Sequence, residues 1–365
     1  MNNELSQFIL AKVMQWTQEE DLEYRQYLQT MASYKYDDYQ QFSPGMRFIE
    51  SLAQWLNRFK SLEERKIAIN FIKEKLIFIS GRELNRIVYT LYPDYIKNIL
   101  IRRIAKDTNQ PEYKVTKITN SIEFKTLKRQ CLFLGFSDGA KTEIFRRANP
   151  ELSHEQIYQS YELSPDRAHK MQEELIKDLK KILNREPSHD EARFKIIFLM
   201  DDFTASGKSY IRENKDGNIE GKIKNIHDQL TSNNLNVIDK DNFELNILFY
   251  LCTEQAFCHI SELVKKIPKP KINIYPIYQF SKDIIVSESD DIYNLCISDD
   301  YYDKEKLEDE HTMKGGENVK LGFGKCSLPV ILYHNTPNNS LSILWSYIES
   351  QKFIGLFPRV ARHKE

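Results

Sequence analysis

Two adjacent carboxylates, Asp201 and Asp202, close the apolar run IIFLM, and Phe203, Thr204, Ala205, Ser206, Gly207, Lys208 and Ser209 come directly after them. A carboxylate accepts hydrogen bonds from sugar hydroxyls without needing a proton, and each such charge-assisted bond contributes about 1.5–3 kcal/mol. The same two groups suit Mg²⁺, a hard cation that takes oxygen ligands, so Asp201 and Asp202 are candidate metal ligands as well. Thr204, Ala205, Ser206, Gly207, Lys208 and Ser209 offer hydroxyls, backbone N–H groups and one glycine ahead of a helix expected from about Lys208. That combination can surround a phosphate. The unit reads as a ribose site with a 5-phosphate cradle beside it. Its SGKS tail is also that of a P-loop, but a P-loop needs glycine where Asp202 stands, and residues 203–206 hold none.

A second loop, Ser137, Asp138, Gly139, Ala140 and Lys141, comes after the apolar run LFLGF and precedes a helical segment carrying Arg146 and Arg147. A glycine-containing turn there either serves a ligand or is an ordinary surface turn flanked by cations. His259 and His334 are the histidines placed where a base would be useful, although a structural role suits each better than a catalytic one. Asp299, Asp300 and Asp303 alternate with lysines and read as a solvated loop rather than a metal site. The five scattered cysteines form neither a disulfide framework nor a zinc motif.

The elements that must position these groups change character along the chain. Residues 1–125 read as helix after helix, with capping-box spacing at Ser61/Glu64 and Ser80/Glu83 and a helical apolar stripe through ERKIAINFIKEKLIFIS. Trp16, Trp55, Phe59 and Tyr89 read as core of this all-helical domain, which we expect to serve docking or oligomerisation. From about residue 126 the order becomes strand, loop, helix. It appears three times, beginning at QCLFLGF, FKIIFLM and ELNILFYLC, and predicts an α/β domain over 126–365 with a mostly parallel sheet and functional loops at its carboxyl edge. INIYPIYQF and KDIIVS are expected as further strands, and SLPVILY as a last one.

A net charge of −1, with 29% charged and 41% hydrophobic residues, gives no bulk attraction to nucleic acid or membrane. Direct nucleic-acid binding stays open, because only scattered basic stretches such as FKTLKR and LIKDLKK are present. The amino terminus lacks a secretory pattern and no apolar run is long enough to cross a bilayer, so the expectation is a cytoplasmic protein.

Residues 196–209 resemble the phosphoribosyl-diphosphate motif of type I phosphoribosyltransferases: apolar strand, two acids, then a small-residue phosphate loop. The resemblance implies a sheet of phosphoribosyltransferase type, ribose contacts from Asp201 and Asp202, and a phosphate loop over Thr204 to Ser209. It also implies a pyrophosphate loop over Ser137, Asp138, Gly139 and Ala140, with Lys141 and Arg146 or Arg147 neutralising the leaving group. From about residue 45 to the end the chain is similar to phosphoribosyltransferase-like proteins of bacterial conflict systems, on the motifs LGFGK, YHNTPNNSLSILW and GLFPR. That implies a carboxyl-terminal hood, with His334, Asn335, Thr336, Asn338 and Asn339 as its wall, Trp345 closing its apolar side and Arg359 meeting phosphate. The implied activity is Mg-dependent chemistry at ribose C1 of phosphoribosyl diphosphate or a related nucleotide in antiphage defence. The alternative is an inactive sensor of such a ligand that regulates a partner protein.

Overall fold

The structure, a computed structural model, describes residues 3–232, 236–240, 242–308, 310–313, 316, 318–346 and 354–360. It divides into two compact units, one of residues 84–280 and one joining residues 1–83 to 281–365.

The 84–280 unit is built on five parallel strands. They are β1 (Cys131–Gly135), β2 (Ile157–Tyr158), β3 (Ile196–Thr204), β4 (Glu244–Thr253) and β5 (Ile272–Phe280), lying side by side in the order β2-β1-β3-β4-β5. Parallel strands are buried on both faces, which is why IIFLM and NILFYLC are nearly unbroken apolar runs instead of alternating ones. One face, with Leu132, Leu134, Ile197, Leu199, Leu245 and Ile247, packs on helices Pro165–Leu183, Lys222–Thr231 and Glu254–Leu263. On the other, Phe133 meets Phe198 at 5.2 Å and Phe145 of helix Thr142–Ala148 at 5.1 Å. Helices Lys97–Asp107 and Ile122–Arg129 belong to this unit and bury Leu100, Ile101, Phe124 and Leu127.

The other unit joins the two ends of the chain. Helices Phe48–Asn57 and Leu62–Glu74 share one core with Ile331, Leu344 and Phe357, and strand Ile77–Ile79 pairs in parallel with Val330–Leu332. The Trp55 indole donates to the Ile343 carbonyl at 2.9 Å, and Ser51 Oγ donates to Leu356 O at 2.7 Å. The expected boundary between a helical domain 1–125 and an α/β domain 126–365 therefore moves. Residues 84–125 go with the sheet, and residues 281–365 complete the core of the amino-terminal helices.

Three element expectations change with it. LIFI ends in a strand instead of continuing a helix; KDIIVS is a short 3-10 turn and coil; and the last strand pairs with Ile77–Ile79, not with the five-stranded sheet. The capping boxes at Ser61/Glu64 and Ser80/Glu83 form as the spacing predicts. Trp55 and Phe59 are buried, whereas Tyr89 is exposed. No helix among the described residues is long and apolar enough to cross a membrane.

Candidate functional site

The strand order reverses between β1 and β3: from β1 the chain moves outward to β2, then crosses back to β3 on the far side. At such a switch point the loops leaving the two carboxyl ends run to opposite faces and leave a crevice. The two segments singled out in the sequence, 137–141 and 204–209, fall at the loops that leave β1 and β3 there, with Thr204 the last residue of β3.

β3 is longer than expected. It continues through both acids to Thr204, with Asp201 paired in register with Phe249 and Phe203 with Leu251, while β1 ends opposite Met200. The acids thus project past the end of one neighbouring strand while still paired to the other. Because side chains alternate along a strand, the two carboxylates lie on opposite faces. Asp201 shares its face with Tyr210, whose hydroxyl donates to Asp201 Oδ2 at 2.5 Å; Ser137 Oγ and the Asp202 backbone N–H donate to Oδ1. Asp202 shares its face with Tyr250, whose hydroxyl donates to the Ala140 carbonyl. A Cβ added at Gly139 would lie 2.2 Å from Asp202 Oδ2 and 2.6 Å from Oδ1. Segment 137–140 therefore straddles the strand end, fastened on one side at Asp201 and on the other at Tyr250.

The second loop is held as tightly. Ala205 O accepts from Thr253 Oγ1 at 2.5 Å, and the Ser206 hydroxyl accepts from the Lys208 N–H. Gly207 has φ +72° and lies against Ile260 and the His259 ring, where a Cβ would come within 2.9–3.0 Å. No helix begins at Lys208: a turn leads into the hairpin Arg212–Glu213 with Ile219–Glu220, and the helix starts at Lys222. The helix dipole expected behind the phosphate loop is absent at that point, and so is the strand–loop–helix sequence a P-loop requires.

Thr204, Ala205, Ser206 and Gly207 are buried, Lys208 is half-buried, and Ser209 and Asp138 are exposed. Lys141, in the left-handed conformation at φ +48°, leads into helix Thr142–Ala148. Arg146 turns away to donate to the Ile157 carbonyl, and Arg147 is exposed. His259 Nε2 meets the Ile211 carbonyl at 2.9 Å, a backbone clasp rather than a base aimed at the crevice. The late-motif residues belong to the unit formed by the chain ends. Thr336 bonds to Tyr39 and Phe357, Asn335 to Val360 and Asn339 to Phe323; the Asn338 carbonyl accepts from Phe323 N, and the His334 carbonyl from Gln41. The Trp345 indole donates to Ser340 O, with the Arg359 guanidinium over its ring.

Three residues that the sequence did not single out complete the site. Tyr210 and Tyr250 are buried phenols, and a buried phenol needs a partner for its O–H; here the partners are a site carboxylate and a site carbonyl. Lys222 places its ammonium 5.0 Å from the Tyr210 ring centre and 5.7 Å from that of Phe136, and its charge acts on Asp201. The only signal in the sequence was, for Tyr250, a polar tip inside an apolar run; Tyr210, after the polar stretch TASGKS, carried none. Lys222 had none, because an inserted hairpin separates it from the motif.

Burial raises the Asp201 carboxyl to about 6, helped by the neighbouring Asp202 charge and opposed by Lys222 and by the Ser137 and Tyr210 hydroxyls. Because its folded value lies above its unfolded one, the native state holds the proton over the window from about 4 to 6 in which the unfolded chain has released it. The stabilising contribution is present below that window and is lost as pH rises through it. We expect the unfolding midpoint of the wild type, relative to Asp201→Asn, to fall between pH 4.5 and 6.5 by an amount equivalent to roughly 1–3 kcal/mol. Thermal melts of both proteins across that range check it, and parallel curves would refute it.

No group of three or more His, Cys, Asp or Glu side chains that could hold a metal ion occurs among the described residues. Two acids on opposite faces, one with both oxygens already accepting hydrogen bonds, do not make a protein cage for Mg²⁺. Asp299 and Asp300 are paired with Lys320 and Lys60.

The fold and the crevice define an α/β protein with a parallel sheet and paired loops at its switch point, preceded in the chain by a helical region. The chain belongs to the PRTase-CE family, whose model matches residues 52–359, and so to the phosphoribosyltransferase-like proteins. No curated protein and no solved structure matches it.

Proposed function

We propose that the crevice between β1 and β3 binds phosphoribosyl diphosphate or a related nucleotide and that the protein acts at ribose C1. One observation carries this reading: the two loops expected to hold pyrophosphate and ribose phosphate meet at the switch point, over the acid pair. In the reaction proposed, an acceptor atom bonds to C1 while the C1–O bond breaks and diphosphate leaves with the electron pair. Segment 137–141 receives the diphosphate through its backbone N–H groups and Lys141. The loop 204–209 holds the 5-phosphate, the acid pair engages the ribose, and Lys222 adds positive charge on the Asp201 side. Mg²⁺, on this reading, enters as the complex of the diphosphate rather than on a site built by the protein.

A second reading, a sensor that binds the same ligand without turnover, is favoured by one feature. His259, the nearest candidate base, is committed to the Ile211 carbonyl. A role in bacterial defence remains part of the proposal and rests on the likeness of the late motifs; a cytoplasmic setting, and a partner protein or second copy docked through the helical region, are proposed on the sequence alone.

Calorimetric titration with phosphoribosyl diphosphate, with and without Mg²⁺, tests the ligand. Saturable binding is expected, lost in Asp202→Asn and weakened about ten-fold in Lys222→Met. Absence of binding by folded wild type would overturn the assignment. Release of diphosphate in the presence of candidate acceptors then separates enzyme from sensor.

A further inference from the structure

The amino edge of the five-stranded sheet carries its own concentration of charge, at the end opposite the crevice. Lys240, Lys265, Lys269 and Lys271 surround one cavity of about 540 Å³, with the buried side chains of Phe243 and Ile267 in its wall. Among the described residues no acid lines this cavity and none of the four ammoniums has a carboxylate partner, whereas the adjoining Lys266 is paired with Glu213. Composition does not account for this, because the chain holds 52 basic and 53 acidic residues. Nor does the helix that ends nearby. Its negative dipole end favours Lys265, just past Glu254–Leu263, but Lys240, Lys269 and Lys271 come from the connections that enter β4 and β5. Ammoniums gathered in this way repel one another, and a bound polyanion relieves the repulsion.

The backbone that presents these lysines is held in place. Pro268 and Pro270 fix φ on both sides of Lys269. His227 Nε2 donates to the Lys269 carbonyl at 2.6 Å, and the Lys271 carbonyl accepts from Leu245 N at 3.2 Å. Lys240 is half-buried and the other three lysines are exposed, so their ammoniums are open to a ligand. Lysine binds phosphate as a point charge, without the planar pairing of an arginine, and several around one bounded cavity suit a short chain of phosphates. A nucleic-acid strand calls instead for a groove with exposed aromatic faces, and the aromatic side chain here, Phe243, is buried. β4 and β5 are ten and nine residues long, so roughly 30 Å separates this edge from the carboxyl edge that forms the crevice.

We propose that this lysine-lined cavity is a second ligand site, distinct from the crevice between β1 and β3, and that it takes a compact polyphosphate.

Calorimetric titration with inorganic tripolyphosphate tests it in wild type, in Gly139→Ala, in the double variant Lys269→Gln/Lys271→Gln and in Lys269→Arg/Lys271→Arg. Binding is expected to persist in Gly139→Ala, to weaken about ten-fold or more in the glutamine variant and to be largely kept by the arginine variant, which preserves the charge. It should also weaken as salt is added. The location is read separately, as protection of Lys265, Lys269 and Lys271 from amine acylation by tripolyphosphate, followed by peptide mass spectrometry. Unchanged affinity in the glutamine variant, loss of binding in Gly139→Ala, or lysines left unprotected at saturation would overturn the site. A single-stranded oligonucleotide without terminal phosphates that protects the same lysines and binds more tightly than tripolyphosphate would overturn the compact ligand and give the cavity to nucleic acid.

Discussion

Gly139→Ala is expected to remove binding of phosphoribosyl diphosphate by a factor of about 100 or more while leaving the protein folded. The cause is local. A methyl group at this position would stand 2.2–2.6 Å from three atoms of the Asp202 carboxyl group, well inside any tolerable contact. Asp has a short side chain, and Asp202 is 8% exposed, so the carboxylate has little room to rotate away. Either it swings out of the crevice or the 137–140 segment lifts from the strand, breaking the Ser137–Asp201 or the Tyr250–Ala140 bond. Overpacking of this kind costs about 1–3 kcal/mol, too little to unfold a domain of this size. Calorimetry reads the affinity and circular dichroism the fold; near-native affinity in a folded variant would show that the apposition of Gly139 and Asp202 does not matter to the ligand.

The second large effect concerns the unit formed by the chain ends. Trp55 is fully buried, packs edge-on to Phe59 at 5.1 Å and donates to Ile343 O. Trp55→Ala leaves a cavity and orphans that carbonyl, and substitutions of this type cost about 3–5 kcal/mol. Because Trp55 bridges a helix of the amino-terminal segment to residues beyond 281, protection from hydrogen exchange should fall together in Phe48–Asn57 and in Val330–Leu332. Loss confined to the amino-terminal helices would mean that the two ends do not form one cooperative core.

The loops of the proposed site were more legible than their geometry. DDFTASGKS reads as a ribose-phosphate site because acids, hydroxyls and glycine are crowded into so few residues, and that reading is the proposal the ligand titration tests. The extent of β3 was not readable, since Asp is depleted in strands and two in succession look like a strand end. Pairing with Phe249 and Leu251 overrides that preference. The helix expected at Lys208 failed for a related reason: the hairpin 212–220 is too short to leave a periodic pattern, so the run from Gly207 to Lys222 reads as continuous. Ile77, Phe78 and Ile79 looked helical because Ile79 falls at a helical interval from Ile72. Their strand character comes from Val330–Leu332, a partner no local window can see. The same blindness placed the domain boundary at 125.

The pairing of Ile77–Ile79 with Val330–Leu332 also sets an order of events on the ribosome. Roughly 250 residues separate the two strands, so at 5–20 residues per second the first waits some tens of seconds for the second. The 84–280 segment is continuous and can close on its own sheet during that interval. The amino-terminal helices, with Trp55, Phe59 and Phe71 still uncovered, cannot. Until the late strand emerges, the apolar face of those helices is the part of the nascent chain most exposed to chaperones, or to aggregation.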